Sequence, residues 1–529
     1  VRTRLSFTSR SWLVSGIATA CIAASTSCSD ATAFAVRNGL DAGQAASGGS
    51  AGASGAGGSS GSAGGTGGSS GSAGGTGGSS GTGGSSCVGG DGGSAGSDAR
   101  DGGSCTSNLR ITEIDVGSDV NANENETALM PIVLSPTPGC GSRLAWMDDA
   151  SRVHVIELDA ADRAVGAALT LPAHDLADLY ADDRGGALLV ARDAKGGGNL
   201  NCGTLSNLCG SSLPNNASCY DMYLVRFDGS TETWAAKLTD STSALPPYST
   251  GPTGPNVIFV WSPYAHHGRI AFDGSRYAAY FGVASSSSAD CSNGGGTNGR
   301  GINVYQGDRM KVVGSDGALQ SGGFDFGCST SGYERVTWDP GARKFVAVCK
   351  TGNRIAIAPP GSGMSMTVYP LDPNYGNLGN LVVSPAGGYW LTASNLQTGQ
   401  PAGANGLADV HLLHFSTGMA DRDLLLASDA TFNERAPHLA PFGATRMLAS
   451  WETSTTTGDL SPNDRNRQFF VQAVNATTGA AEGSPSYVQG IVGNRYHDLR
   501  GYPDGSAAYA APGSAASRIK IVRVLPCPP

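Results

Sequence analysis

One pattern recurs along this chain and constrains its fold more than any other feature. A short strand is followed by a Gly/Pro/Asp turn and a second strand ending in small and apolar residues. It reads IVLSPTPGCGSRLAWMD from Ile132, LADLYADDRGGALLVAR from Leu176, GRIAFDGSRYAAYFGV from Gly268 and ERVTWDPGARKFVAVC from Glu334. It returns as GNLVVSPAGGYWLTAS from Gly379, HLAPFGATRMLASWET from His438 and HDLRGYPDGSAAYAAP from His497. Each stretch has the form of a β-hairpin. Second hairpins of another type lie between copies: VHVIELDAADRAVGAALTL, MYLVRFDGSTETWAAKL, VHLLHFSTGMADRDLLLAS and FFVQAVNATTGAAEGSP. Two hairpins per unit give a four-stranded antiparallel sheet, and repeated sheets that must stack to bury their faces form the blades of a β-propeller. The expected fold is therefore all-β, a single propeller of about seven four-stranded blades. Six is the nearest alternative, because the first unit is the least well marked. A helix at AADRAVGAAL is disfavoured by neighbours that alternate with a period of two, and tandem β-sandwiches would not need one hairpin type throughout.

The last unit supplies strands near HDLRGYP, AAYAA and IKIVRVL and then stops. The missing fourth strand is expected from LRITEIDV, Leu109 to Val116, which would close the ring and remove a free sheet edge. Antiparallel pairing with residues 519–525 would bring Cys105 beside Cys527, and a disulfide there would add roughly 4–5 kcal/mol in the chain-entropy model. Cys328 and Cys349 flank the fourth hairpin and are expected to pair. Cys202, Cys209 and Cys219 share a polar insertion that lacks the His or Cys-X-X-Cys spacing of a zinc site, so oxidation is preferred to metal binding. The pairing of Cys87, Cys140, Cys202, Cys209, Cys219 and Cys291 stays open at this stage.

The segment ahead of the propeller cannot fold in the same way. GSAGGTGGSSGSAGGTGGSS, Gly61 to Ser80, is one ten-residue unit written twice, with no large apolar side chain to offset the entropy of ordering. Residues 29–108 are expected to be a disordered Gly/Ser-rich linker and residues 109–527 the propeller. A flexible Gly-rich run of roughly 65 residues spans a mean of about 45 Å. Before it, Arg2, Arg4 and Arg10 precede a short apolar stretch, Trp12 to Ala24, and then Cys28, the layout of a secretory signal over residues 1–28. This resembles a bacterial lipoprotein signal, although Ser25 stands where Leu is usual, and the resemblance implies lipidation at Cys28. Cys21 leaves a shorter apolar core, and plain cleavage near ATAFA is the remaining alternative. Cleavage before Cys28 removes Cys21, lipidation uses Cys28, and an even set of the 12 Cys is left for disulfides. The whole arrangement is similar to secreted bacterial surface lipoproteins. That resemblance implies an exported, monomeric protein at the outer membrane or cell surface, or extracellular, touching membrane only through its lipid anchor.

Two motif matches carry no chemistry. GGSSG satisfies the nucleophile pattern but lies in the linker, without the strand-to-helix turn it needs; GGGTNG at Gly294 lacks a surrounding βαβ unit. DVNANENE, Asp119 to Glu126, departs from a calcium loop at Glu124 and Met130 and reads as a solvated loop.

A net charge of -9, with no Lys/Arg cluster past residue 10, argues against a nucleic-acid partner. In a propeller, function gathers where the loops entering the innermost strands converge on the central channel. Those segments are polar: PAHD with His174 and Asp175, YAHHGR with His266, His267 and Arg269, and GYERV with Glu334 and Arg335. GNLGN adds Asn377 and Asn380, NERAPH adds Glu434, Arg435 and His438, and NRYHDLR adds His497, Asp498 and Arg500. Convergence of His174, Asp175, His266, His267, Glu334, Arg335, His438, His497 and Arg500 would create a site for an anionic or polyhydroxy ligand. Tyr220, Tyr223, Trp234, Tyr248, Trp261 and Tyr264 could stack on sugar faces, whereas Trp146, Trp338, Trp390 and Trp451 are expected to pack between blades. The expected function is an envelope-tethered binding module for carbohydrate or another surface ligand. The alternative is a polysaccharide-degrading lyase or hydrolase that uses a His/Tyr/Arg or His-metal site at the same mouth. A purely structural role for these side chains, bonded to backbone at blade junctions, is the third reading. No cofactor is assigned from sequence.

Overall fold

The structure is a computed structural model. It describes residues 108–120, 132–148, 150, 152–192, 219–239, 257–261, 268–290, 300–324, 328, 331–358, 366–372, 376–400, 406–458, 466–494 and 496–526. The signal, the linker, Cys28, Cys105, Cys527, His266 and His267 lie outside the described residues.

Seven four-stranded antiparallel sheets follow one another in chain order. Their innermost strands are Ile132–Pro136, Asp175–Ala181, Arg269–Phe272, Ser331–Asp339, Leu378–Val383, Asn433–Phe442 and Arg500–Gly501, which define blades 1 to 7. Each innermost strand packs on the next, and that of blade 7 returns to that of blade 1, so the ring is closed. This is the seven-bladed propeller expected from the repeat. The sequence marked no second hairpin for blades 3 and 4, where Arg300–Gly314 pairs with Leu319–Phe324 and Arg354–Ala358 with Met366–Pro370, and it did not reveal one further strand. Val257–Trp261 pairs with the third strand of blade 2 and the second strand of blade 3, joining those two sheets.

The core is divided among the junctions. Alternation along each strand sends side chains to both faces of its sheet, and every pair of adjacent blades encloses one apolar cluster. Leu176, Leu188 and Val225 of blade 2 meet Val133, Met147 and Val153 of blade 1. Trp390 of blade 5 packs among Leu439, Met447 and Trp451 of blade 6. Trp146 sits between blade 1 and Ile519 and Ile521 of blade 7. Trp338 is the exception among the four tryptophans, being half-buried against Phe345 near the axis. Full burial of each large apolar chain contributes about 1.5–3 kcal/mol, and the described structure contains no other core.

Leu109–Asp115 closes the ring as the outermost strand of blade 7, in continuous antiparallel register from Leu109 opposite Val524 to Asp115 opposite Arg518. The seam is also latched by charge. Asp162, in the outer hairpin turn of blade 1, is fully buried. It accepts from Arg523 Nε at 3.0 Å and from Arg523 Nη2, and from Arg110 Nη2 at 2.7 Å. Both arginines belong to blade 7, and Arg523 also stacks 3.7 Å from the Tyr502 ring centroid. Asp162 reaches them from a left-handed backbone position, φ 60, which Asn and Asp tolerate better than other side chains.

Cys328 and Cys349 form the expected disulfide, with a separation of 21 residues. Cys140 is disulfide-bonded as well.

Candidate functional site

The first turn of each blade supplies a common reference. The last residues before it are Thr137, Asp182, Asp273, Asp339, Ser384, Phe442 and Tyr502. Four residues earlier stand Val133, Asp178, Arg269, Arg335, Asn380, His438 and Asp498. Six blades of seven therefore place a polar side chain at one equivalent level, and blade 1 places a valine.

These side chains meet near the axis. Arg269 Nε lies 2.8 Å from Asp498 Oδ2, and its Nη2 donates to the carbonyl of Tyr496 across the channel. Asp178 Oδ2 accepts the Ile270 N–H at 2.8 Å. Arg500 reaches past Val133, donating Nη2 to Asp178 Oδ1 and to Asp498 Oδ2 at 2.8 Å. Asn380 Nδ2 donates to Leu499 O at 3.0 Å. Arg335 is buried, and each of its three nitrogens donates to backbone: Nε to Gly379 O at 2.9 Å, Nη1 to Glu334 O at 2.8 Å and Nη2 to Leu378 O at 2.6 Å. Gly379 makes this approach possible. A Cβ there would stand 2.0 Å from Thr392 Oγ1 and 2.8 Å from Pro437 O, wedging blades 5 and 6 apart.

The electrostatics follow from burial and from a surplus of cations. Burial pulls the Arg335 guanidinium down to about 9, with Arg269 adding repulsion. Burial likewise lowers His438 to about 3, so its imidazole is neutral. Burial opposes ionisation of Asp498, but Arg269, Arg500 and Arg335 together outweigh it and hold the carboxyl below the usual range. Asp178 is shifted upward, chiefly by burial, against the pull of Arg500 and Arg269. Three guanidiniums face two carboxylates, so the cluster is net positive even when both acids are ionised.

Several of its polar atoms have no partner: Asn380 Oδ1, Asp498 Oδ1, Arg500 Nε and both ring nitrogens of His438. Such groups are costly when buried, about 1–3 kcal/mol each.

A cavity of about 550 Å³ stands over this cluster, lined by residues from all seven innermost strands or their flanks. Its floor holds Arg269, Arg335, Asn380, Asp498 and Arg500. Leu179, Ile270, Val336, Leu381, Leu439 and Leu499 border it next, with their side chains mostly turned into the blade junctions, and Tyr180, Phe272, Trp338, Pro340 and Pro441 lie toward the opening. The cavity opens on the face that carries the first turns. The sequence pointed to the other face, where the innermost strands begin. There the rings of Tyr333 and Tyr496 stack 16° apart with centroids at 5.7 Å, both buried.

The residues singled out in the sequence are distributed as follows. Arg335 and Arg500 line the cavity, and His438 lies within the same polar level. Glu334, next to Arg335, turns the opposite way, as alternation requires; its charge bears on buried Tyr280 of blade 3. His497 is held between blades, with Nδ1 donating to Ala510 O at 3.1 Å and Nε2 accepting from Ile132 N–H at 3.4 Å. His174 stacks on Tyr220 at 4.3 Å within blade 2. Buried Asp175 accepts the Leu176 N–H at 2.8 Å. The described histidines thus do not gather as a ligand set. Asp178 was overlooked because it sits inside the apolar run LADLYA, where only the turn-aligned comparison of blades reveals it.

No family model and no curated protein sequence matches this chain. Among solved structures, the mitotic checkpoint complex is 10% identical over 81% of this chain and 97% of that chain, with a TM-score of 0.37. The Dos1 propeller is 11% identical over 80% and 97%, with a TM-score of 0.36. An α-L-arabinanase from Penicillium chrysogenum complexed with arabinobiose is 12% identical over 78% and 98%, with a TM-score of 0.33. None of them carries a residue role over to this chain.

Proposed function

We propose that this β-propeller is a binding module whose ligand, a polyhydroxy molecule of the carbohydrate class, occupies the central cavity from the turn face. One observation carries the reading: the cavity ends on a polar floor, Arg269, Arg335, Asn380, Asp498 and Arg500, of which Asn380 and Arg500 are only partly buried. Hydroxyl groups both donate and accept, so a polyol pairs with both the Asn380 amide and the Arg500 guanidinium where an apolar ligand pairs with neither. The Tyr180, Phe272 and Trp338 rings suit the apolar faces of a sugar, and the volume falls in the range of small-molecule sites.

Binding is favoured over catalysis. His438, the imidazole at this level, is too weak a base at about 3 to abstract a proton near neutral pH. Asp178 and Asp498 are shifted in opposite directions, a pattern used by acid–base pairs. However, Asp178 does not line the cavity, so the two carboxyls cannot flank a bound bond. The module is further proposed to be exported and tethered by its Gly/Ser-rich segment, with lipid at Cys28. The sequence alone supports that part, and mass spectrometry of the mature N-terminus tests it.

Calorimetric titration with neutral and acidic mono- and oligosaccharides tests the binding reading. Trp338 fluorescence provides a second readout at the opening. Saturable heat accompanied by a fluorescence change, both lost in Arg500→Gln, is expected. Absence of binding across the panel refutes the reading, and release of new reducing ends or unsaturated products replaces it with the enzymatic one.

A further inference from the structure

We infer that the cavity is a blind socket that takes the terminus of its ligand, carboxylate first: a terminal uronic acid or similar sugar acid, not the interior of a polymer. The inference rests on the binding reading above and adds the ligand's charge and the manner of its approach.

The first support is closure of the channel. Tyr333 belongs to blade 4, and Tyr496 precedes the innermost strand of blade 7, nearly opposite in the ring. Their stacked rings therefore span the axis. The arrangement is fixed on both sides, since Asn377 Nδ2 donates to Tyr333 Oη at 2.9 Å and Arg269 holds the carbonyl of Tyr496. Both rings are almost wholly buried, at 3% and 6% exposure. Among the described residues this layer separates the polar level from the start face, so a polymer strand has no path through the ring.

The second support is the polarity gradient along the remaining depth. Aromatic and proline residues lie toward the opening, and among the lining residues charge is confined to Arg269, Arg335, Asp498 and Arg500 at the floor. With Asp178 just beneath, three arginines stand against two aspartates. Arg335 is the one that none of the described carboxylates contacts, its three nitrogens each donating to a carbonyl, of Glu334, Leu378 or Gly379. A buried cation held by carbonyl dipoles and the Tyr333 ring gains from an incoming anion. A carboxylate enters favourably only if it travels to the floor, because no other part of the lining carries a cation to offset the hydration it loses.

Titration of the full chain with glucuronate, glucose and galacturonate oligomers of increasing length, ending with polygalacturonate, tests the inference. Glucuronate is expected to bind at least about tenfold more tightly than glucose, the scale of one charge-assisted hydrogen bond. Binding capacity of the oligomers should track the number of chain ends, not the mass of polymer. Asn380→Asp brings the acids level with the arginines and should erase the preference for glucuronate. Thr337→Asp, on the cavity wall, is the second variant if the first fails to fold, and the same loss is expected. Equal affinity for glucose and glucuronate overturns the acid preference and leaves the binding reading intact. Binding that scales with polymer mass overturns the blind socket. Failure of every probe overturns this inference and the reading beneath it together.

Discussion

Asp162→Asn isolates the charge that latches the ring. Asparagine keeps the shape of the side chain and tolerates the left-handed backbone, φ 60, at this turn, so the substitution removes a charge and little else. Two cations lose their partner, but they do not contribute equally. The Arg110 side chain is 33% exposed and can turn to water, so its share is that of a surface pair, about 0–1 kcal/mol. The Arg523 side chain is 1% exposed and keeps only Ser506 Oγ at 3.0 Å and the face of Tyr502. Breaking a buried pair by removing one partner costs about 3–5 kcal/mol. The retained amide oxygen still accepts one hydrogen bond, which sets the expectation near the lower end, about 3 kcal/mol. Urea unfolding followed by tryptophan fluorescence should show the midpoint falling with an unchanged slope. Replacing Asp162 and Arg523 together by apolar residues should recover much of the loss, because no uncompensated charge is then buried. A single variant within about 0.5 kcal/mol of the parent, the range of ordinary surface changes, would refute the latch.

Other expectations follow from the same geometry. Glu434 is buried beside Asp409, and burial, then that neighbour, raise its carboxyl to about 8. The folded state therefore binds this proton more tightly than the unfolded chain does. Stability should fall as pH rises from about 5 to 8, by up to about 1.4 kcal/mol per pH unit, and Glu434→Gln should flatten the profile in urea midpoints; an unchanged slope would exclude Glu434 as the cause. Gly379→Ala, whose Cβ would stand 2.0 Å from Thr392 Oγ1, should destabilise by about 1–3 kcal/mol and weaken ligand binding through Arg335; an unaltered melting curve contradicts that packing. Replacing Cys328 and Cys349 together by alanine should lower stability by about 3 kcal/mol, read as the difference between parent and variant without reductant. Equal stability would mean that the bridge does not constrain the unfolded chain.

The architecture was legible because a propeller repeats its instructions. Turn residues between alternating strands identified each first hairpin, and the shortage of one strand in the last unit pointed to Leu109–Asp115. The site was legible only in part. Polar residues ahead of the innermost strands drew attention to the start face, yet the cavity floor is built from positions inside the strands. A pleated strand sends neighbours to opposite faces, and this is why Arg335 reaches the axis while Glu334 does not. Nothing local in the sequence separates the two. Aligning the blades on their turns does, and it recovers Asp178 as well. The bridging strand Val257–Trp261 had no counterpart in other blades, so the repeat could not reveal it.

The closing strand also determines when this ring can be finished. Leu109–Asp115 is made before any of the blades, whereas its partner, Arg518–Val524, is made after nearly all of them. At usual synthesis rates the interval is on the order of half a minute. Throughout it, blades 1 to 6 can assemble in sequence, but the surface of blade 1 that will meet blade 7, including Trp146 and buried Asp162, has no cover. Completion of the fold is thus a late, long-range event of high contact order. A nascent chain halted before residue 518 would hold a free strand at one end and an open apolar flank beside it, the pair of surfaces through which two incomplete copies would join each other.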